Sequence, residues 1–340
     1  MGSRSHSQVP AGGYEPERQD LLRRFTATPY AENLRIMCST VRLESNSASI
    51  VEKAVKFFAR YQGPRPANAE FLWRVVGESR SRQNEASTEV TAFSDGCLRY
   101  ATLAQDGFLA VDLRAREAVA FVDDSVIESE PILHCRPLFD TLFCMCAASL
   151  GKTSFEAACI GNGDNGILLF GPPNSGKTTV GFLAAKRGLE FHADQAVFFD
   201  VPAPELRVWG DLLPAIFRPE ALEFYPELRT STLRFSHPSF NVHYFPKKAF
   251  QSSQAHAVTP VCCVFLKRGS VRNPSLTPIA PRGLARRLLN AVLYQEVADF
   301  RPQISAVIGA LAKLPSYELA FHDPADAAGR VGDLLKNGGK

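Results

Sequence analysis

The chain has 340 residues, 38 Lys and Arg against 35 Asp and Glu for a formal net charge of +3, and 45% hydrophobic residues. So even a balance, with no dense basic run, argues against a nucleic-acid partner. The apolar share suits a globular chain long enough for two domains. No apolar run reaches the roughly 18 residues of a membrane span, so no membrane contact is expected.

Residues 1–25 are polar, carry both charges and lack the apolar core of a signal peptide; a disordered lead-in is expected. The eight cysteines, Cys38, Cys97, Cys135, Cys144, Cys146, Cys159, Cys262 and Cys263, are scattered and form no pair at metal-site spacing. They read as reduced, mostly buried thiols. Without an export signal, that points to the cytoplasm.

Leu34–Leu43 reads as one strand. Asn46 or Ser47 then caps a helix to about Tyr61, with Ile50, Val51, Ala54, Phe57 and Phe58 on one face. Gly63-Pro-Arg-Pro66 stops that helix, Phe71–Val76 is a second strand, and the polar run Ser79–Ser87 reads as a loop. From Glu89 to Ile127 apolar alternating runs are separated by Asp95-Gly96, Asp106-Gly107 and a charged turn, the pattern of a hairpin meander. Residues 26–136 are therefore expected to form an α+β domain with an antiparallel sheet and no visible chemistry.

Residues 137–336 are expected to form a second, α/β domain. Pro137–Leu150 reads as a helix and Ser154–Phe170 as a hairpin turning at Asn162–Gly166. A helix follows from Lys177 to Arg187, then one strand from Leu189 to Val201. Residues 202–260 are rich in Pro and aromatics and read as irregular. Val261–Leu266 is a late strand, and helices are expected over about 281–298, 301–313 and 324–336. Arg282, Arg286 and Arg287 read as a solvated helix face.

Gly171-Pro172-Pro173-Asn174-Ser175-Gly176-Lys177-Thr178 fits the phosphate-loop pattern GxxxxGK[ST] at every fixed position, between an apolar strand and a helix. Glycines let successive backbone N–H groups face a phosphate, and the helix N-terminus adds partial positive charge. Lys177 is suited to the β- and γ-phosphates and the Thr178 hydroxyl to Mg²⁺, with Thr179 beside it. ATP with Mg²⁺ is the expected cofactor. Such sites use a further carboxylate near the metal. Asp200 ends the apolar run AVFFD, whereas Asp194 interrupts EFHADQAVFF, where burial is costly unless it binds something. Spacing leaves both open. His192 reads as a partly buried polar side chain.

Phe155–Asp200 resembles the nucleotide-binding core of the HPr kinase/phosphorylase superfamily in order and spacing. A hairpin feeds the loop, a helix ends in Lys186-Arg187-Gly188, and an acidic motif lies about 17 residues after Lys177. VCCVFLKRG and LPSYELAFHDPADAAGRVGDLL extend the likeness to about residue 336. Leu34–Tyr61 is similar to the extra domain of HPr-kinase-related proteins, not to that of true HPr kinases. The resemblance implies a P-loop domain of HPr kinase type with a mixed sheet and C-terminal helices. It further implies phosphoryl transfer from ATP to a hydroxyl, often a serine of a peptide or protein. It puts Asp194 at the first acid of the family's pair and an amide, Gln195, at the second. The family's histidine falls on Glu156. Asp194 or Glu156 would take the acceptor proton, Asp194 would also hold the metal, and Arg218, in Ile216-Phe-Arg-Pro219, would stabilise the transferred group. Arg268 is a further candidate. Trp209, Phe217, Phe224, Tyr225, Phe235, Phe240, Tyr244 and Phe245 are read as anchors for an extended peptide acceptor, or as a second small core. Assembly state is left open.

Overall fold

The computed structural model describes residues 26–59, 61, 68–78, 90–103, 107–123, 136–201, 205–210, 215–217, 219–229, 233–237, 240–245, 256–293 and 300–339. The lead-in, the Gly63–Pro66 stop, the Ser79–Ser87 loop and Arg218 lie outside the described residues. The architecture is mixed α/β: among the described residues two larger sheets are mixed in direction, two three-stranded sheets are antiparallel, and helices pack against them.

The expected strand Leu34–Leu43 is instead a hairpin, β1 (Tyr30–Ile36) and β2 (Ser39–Ser45), paired antiparallel from Tyr30↔Ser45 to Ile36↔Ser39. Met37 and Cys38 make the turn with φ of 48° and 70°. Left-handed backbone is disfavoured for such residues, so nothing in the local sequence announced it. Complete burial of the Met37 side chain offsets the strain.

Helix α1 (Ala48–Phe58) buries Ile50, Ala54 and Phe58, and Ser47 caps it by backbone conformation without a side-chain hydrogen bond. It connects β2 to β3 (Phe71–Glu78), which lie side by side and parallel. A parallel pair needs such a crossover helix. The meander follows: β4 (Val90–Asp95), β5 (Leu98–Leu103), β6 (Gly107–Asp112) and β7 (Glu117–Asp123). β7 returns to pair parallel with β3. The seven-stranded sheet, ordered β1-β2-β3-β7-β6-β5-β4, is therefore mixed, which corrects the antiparallel expectation. Its core centres on Trp73, whose indole nitrogen donates to Cys146 Sγ at 3.3 Å. Helix α2 (Arg136–Cys146) and a 3-10 turn to Leu150 pack into the same core through Leu138, Phe139, Leu142 and Phe143.

β8 (Lys152–Glu156), β9 (Ala158–Asn162) and β10 (Asn165–Phe170) come next, followed by helix α3 (Lys177–Lys186). The expected single strand over Leu189–Val201 is broken at Asp194-Gln195 into β11 (Glu190–Ala193) and β12 (Ala196–Asp200). The two halves join different sheets: β11 pairs with β9, whereas β12 lies between β8 and β13 (Val208–Gly210). The described residues of 202–260 are more regular than expected. β14 (Ala215–Phe217), β15 (Leu233–His237) and β16 (Phe240–Phe245) form a sheet, with helix α4 (Ala221–Phe224) between them in sequence.

β17 (Thr259–Arg268) matches the late strand. β18 (Ser275–Pro278) and β19 (Ser316–Phe321) were not anticipated. Helices α5 (Pro281–Leu289), α6 (Arg301–Leu311) and α7 (Pro324–Lys336) complete the chain, the last capped by Asp323 accepting from the Ala325 amide. The six-stranded sheet is ordered β11-β9-β10-β17-β19-β18. Two apolar cores cover it, one including Phe182, Phe191 and Phe321, the other Phe155, Phe170 and Phe199.

Candidate functional site

β10, β17 and β19 run parallel, and β11 runs with them because both it and β10 are antiparallel to β9. Their carboxyl ends therefore share one edge of the layer. In open α/β sheets that edge is where crevices for ligands form. Gly171–Gly176 leaves β10 there and enters α3. Gly171, Asn174 and Gly176 all have positive φ, of 155°, 68° and 97°. These reversals curl the loop, helped by the Ser175 amide donating to the Pro172 carbonyl at 3.1 Å. The curl is tight: a Cβ on Gly171 would lie 2.5 Å from Ser175 Oγ, and one on Gly176 would lie 3.4 Å from Phe321 Cζ.

Gly176 is the N-cap of α3 and offers no side chain to the first-turn amides. Those N–H groups have no carbonyl one turn back, and the helix dipole makes their end electropositive. Ser175 is buried within the loop, and its hydroxyl has no hydrogen-bond partner among the described residues. Lys177 turns back over the loop. Its ammonium donates to Glu156 Oε1 at 3.0 Å, to the Gly171 carbonyl at 2.5 Å and to that of Pro172 at 3.4 Å. Pro173 and Asn174 are exposed on the loop, and Thr178 and Thr179 are half-buried in the first turn of α3.

Glu156 reaches Lys177 from the end of β8, opposite Ala196 in register. Its amide donates to the Ala291 carbonyl at 2.7 Å, which steadies the strand end. Asp194 follows Ala193, which faces Cys159, which in turn faces Leu168 on β10. Two strand spacings of about 4.8 Å put the Asp194 backbone roughly 10 Å from the end of β10, at the loop's edge of the sheet. Asp194 is 1% exposed and Gln195 is exposed. Glu156, Lys177 and Asp194, distant in sequence, thus gather at one end of the layer.

Asp200 has a different surrounding. It sits opposite Lys152 at the far end of the β8–β12 ladder, roughly 13 Å from the Glu156 pair. The buried Lys152 ammonium donates to its Oδ1, and the Trp209 indole donates to its Oδ2 at 2.9 Å. These contacts account for Asp200 structurally. Sequence gave no sign of them, because Lys152 lies 48 residues away.

Arg268 is exposed at the carboxyl end of β17. Burial and the Asp323 charge push the nearby Tyr225 hydroxyl above its usual pKa, while the Arg268 charge opposes them. The aromatics of 202–260 divide. Phe217 and Tyr225 each pack edge-on against Phe182 at 5.3 Å, as core, and Trp209 packs on Tyr61. Phe224 is 75% exposed. The side chains of Phe235, Phe240, Tyr244 and Phe245 lie outside the described set. Sequence reasoning missed Phe321, which walls the loop at Gly176; the alternation in SYELAF was its available signal.

Among the described residues, no helix is long and apolar enough to cross a membrane. No family model matches the chain, and no curated protein does. Among solved structures, the HPr(Ser) kinase/phosphatase from Coxiella burnetii is similar over 54% of this chain and 94% of its own, at 12% identity and a TM-score of 0.28. A likeness that slight decides neither fold family nor activity.

Proposed function

We propose that Gly171–Thr178 holds the phosphates of a nucleoside triphosphate with Mg²⁺, in a P-loop domain of HPr kinase type. The terminal phosphoryl group then passes to a serine-type hydroxyl of a peptide or protein. The observation that carries the reading is the curled loop over the uncapped N-terminus of α3, with Lys177 folded across it. The first-turn amides and the orphaned Ser175 hydroxyl are donors suited to phosphate oxygens. Lys177 would exchange Glu156 and the Gly171 carbonyl for the β- and γ-phosphates. The Thr178 hydroxyl and the Asp194 carboxylate are hard oxygen ligands of the kind Mg²⁺ takes. Bound there, Mg²⁺ would neutralise charge on the phosphates.

Asp194 or Glu156 accepts the acceptor's proton, and once phosphates occupy Lys177, Glu156 is released for that role. Arg218 keeps its expected part in stabilising the transferred group, on the strength of the sequence resemblance alone. Rate comes from positioning and charge complementarity, since a loose phosphoryl transition state needs little covalent help. Exposed Phe224, next to Tyr225, supports an apolar anchor for a peptide.

Glu156 on Lys177, together with the amide Gln195 at the second acid position, favours one other reading: a nucleotide-dependent regulator without transferase activity. Incubation with γ-labelled ATP, Mg²⁺ and serine peptides, beside free serine, sugars and nucleosides, separates these two and the third alternative, a nucleotide hydrolase. Label on peptides supports the kinase. Label confined to small molecules refutes the peptide acceptor, free phosphate marks a hydrolase, and binding without turnover marks the regulator.

A further inference from the structure

Glu190, His192 and His256 meet at the amino end of the six-stranded sheet, opposite the loop edge. Glu190 stands across from Gly161 on β9, next to the turn that joins β9 to β10. The β9–β11 register shifts between Phe191 and Ala193, so His192 occupies an irregularity of the edge strand. Bulges of this kind re-aim a side chain. The imidazole is aimed over Gly161, where a Cβ would lie only 2.3 Å from Nε2. Any other residue at 161 would displace the ring. His256, just ahead of β17, brings a second ring to 5.0 Å from the first, at right angles to it.

We propose that these three side chains form a binding site for a divalent transition-metal ion of the zinc class. Their ligand atoms all lie within 4.8 Å of one another, and His192 Nε2 is 3.2 Å from Glu190 Oε2. Tetrahedral zinc with bonds of about 2.0–2.1 Å has ligand-to-ligand edges of roughly 3.4 Å. One edge is already at that length, and the others, within 4.8 Å, need at most about 1.4 Å of side-chain adjustment. His256 Nε2 faces the Gly163 carbonyl at 3.4 Å. Donation there would leave Nδ1 free to coordinate, the usual device for setting a ligand's tautomer. Two imidazoles and one carboxylate satisfy three positions and leave a fourth for water or an external ligand. The ion would tie the segment entering β17 to the edge strand β11. This site is separate from the loop and does not depend on the nucleotide reading.

The test uses the full chain, stripped with a chelator and then titrated with Zn²⁺ against a chromophoric competitor. Co²⁺ absorption reports the geometry. The expected result is one tight equivalent, an intense low-symmetry Co²⁺ spectrum, and at least a tenfold loss of affinity in both Glu190→Gln and His256→Ala. Lys177→Ala should bind the metal unchanged. His192 is buried in the fold, so His192→Ala can fail by misfolding; the other two variants change less buried side chains. No stoichiometric Zn²⁺ binding, or wild-type affinity in both variants, would overturn the site.

Discussion

Asp200→Asn should destabilise the protein and leave its chemistry intact, whereas Asp194→Asn should do the opposite. Asp200 holds the Lys152 ammonium on one oxygen and the Trp209 indole on the other. Lys152 is only 5% exposed, so neutralising its partner leaves a charge in a poorly solvated place. Breaking a fully buried pair costs about 3–5 kcal/mol. The Asp200 side chain is 26% exposed, and an asparagine oxygen still accepts one bond, so about 2 kcal/mol is the appropriate scale. For a chain of this size that lowers the melting temperature by roughly 3 °C. The assay pairs a thermal melt with phosphate transfer per folded molecule. Asp194→Asn should melt within a degree or two of the wild type yet transfer nothing. If Asp200→Asn melts like the wild type, or abolishes transfer while Asp194→Asn retains it, the assignment of the two acids is reversed.

Burial pushes the Cys146 and Cys262 thiols up to about 12 and the Cys263 thiol higher still, so under native conditions a thiolate-selective reagent should modify exposed Cys38 before these three; fast labelling of the buried three in folded protein would contradict their placement. Burial tends to raise the Glu318 pKa, but hydrogen bonds from Arg287 and Lys267 prevail and hold it below its usual 4.5. The folded value lies below the unfolded one, so this stabilisation is present above 4.5 and lost as pH falls through the folded pKa. Glu318→Gln should cost about 0.5–1 kcal/mol near neutral pH in urea melts and nothing in strong acid; a gap independent of pH would refute it. A Cβ on Gly210 would lie 1.9 Å from the His192 backbone oxygen, so Gly210→Ala should cost more than about 2 kcal/mol. Gly163→Ala, in open space at φ 58°, should cost only about 1 kcal/mol, and equal melts for the two would be the contrary result.

The parts of the molecule legible in the sequence are those set by local pattern. Helices α1, α6 and α7 and the meander strands follow periodicity and Asp-Gly punctuation, and the glycines of 171–176 announce their own curl. What was not legible depended on partners far along the chain. The break at Asp194-Gln195 carries no Gly or Pro; it arises because β11 and β12 are claimed by different sheets. The turn at Met37-Cys38 relies on burial of Met37, which no local propensity encodes. Parallel pairing of β3 with both β2 and β7 is a topological fact, although the strand–helix–strand order around α1 already contained half of it. Glu156 stood out in sequence only through the family resemblance, and its contact with Lys177 emerges once β8 ends beside the loop.

The measurement that bears most directly on the central reading is calorimetric titration of Mg²⁺-ATP into the wild type and Lys177→Ala, with melts of both. Lys177 holds a half-exposed carboxylate and loop carbonyls, so its loss should barely move the melt of the free protein. The wild type should bind one equivalent and gain thermal stability with nucleotide, and the variant should lose at least about a hundredfold in affinity and show no such gain. Equal binding by the two proteins, or none by a folded wild type, would contradict the phosphate-loop reading.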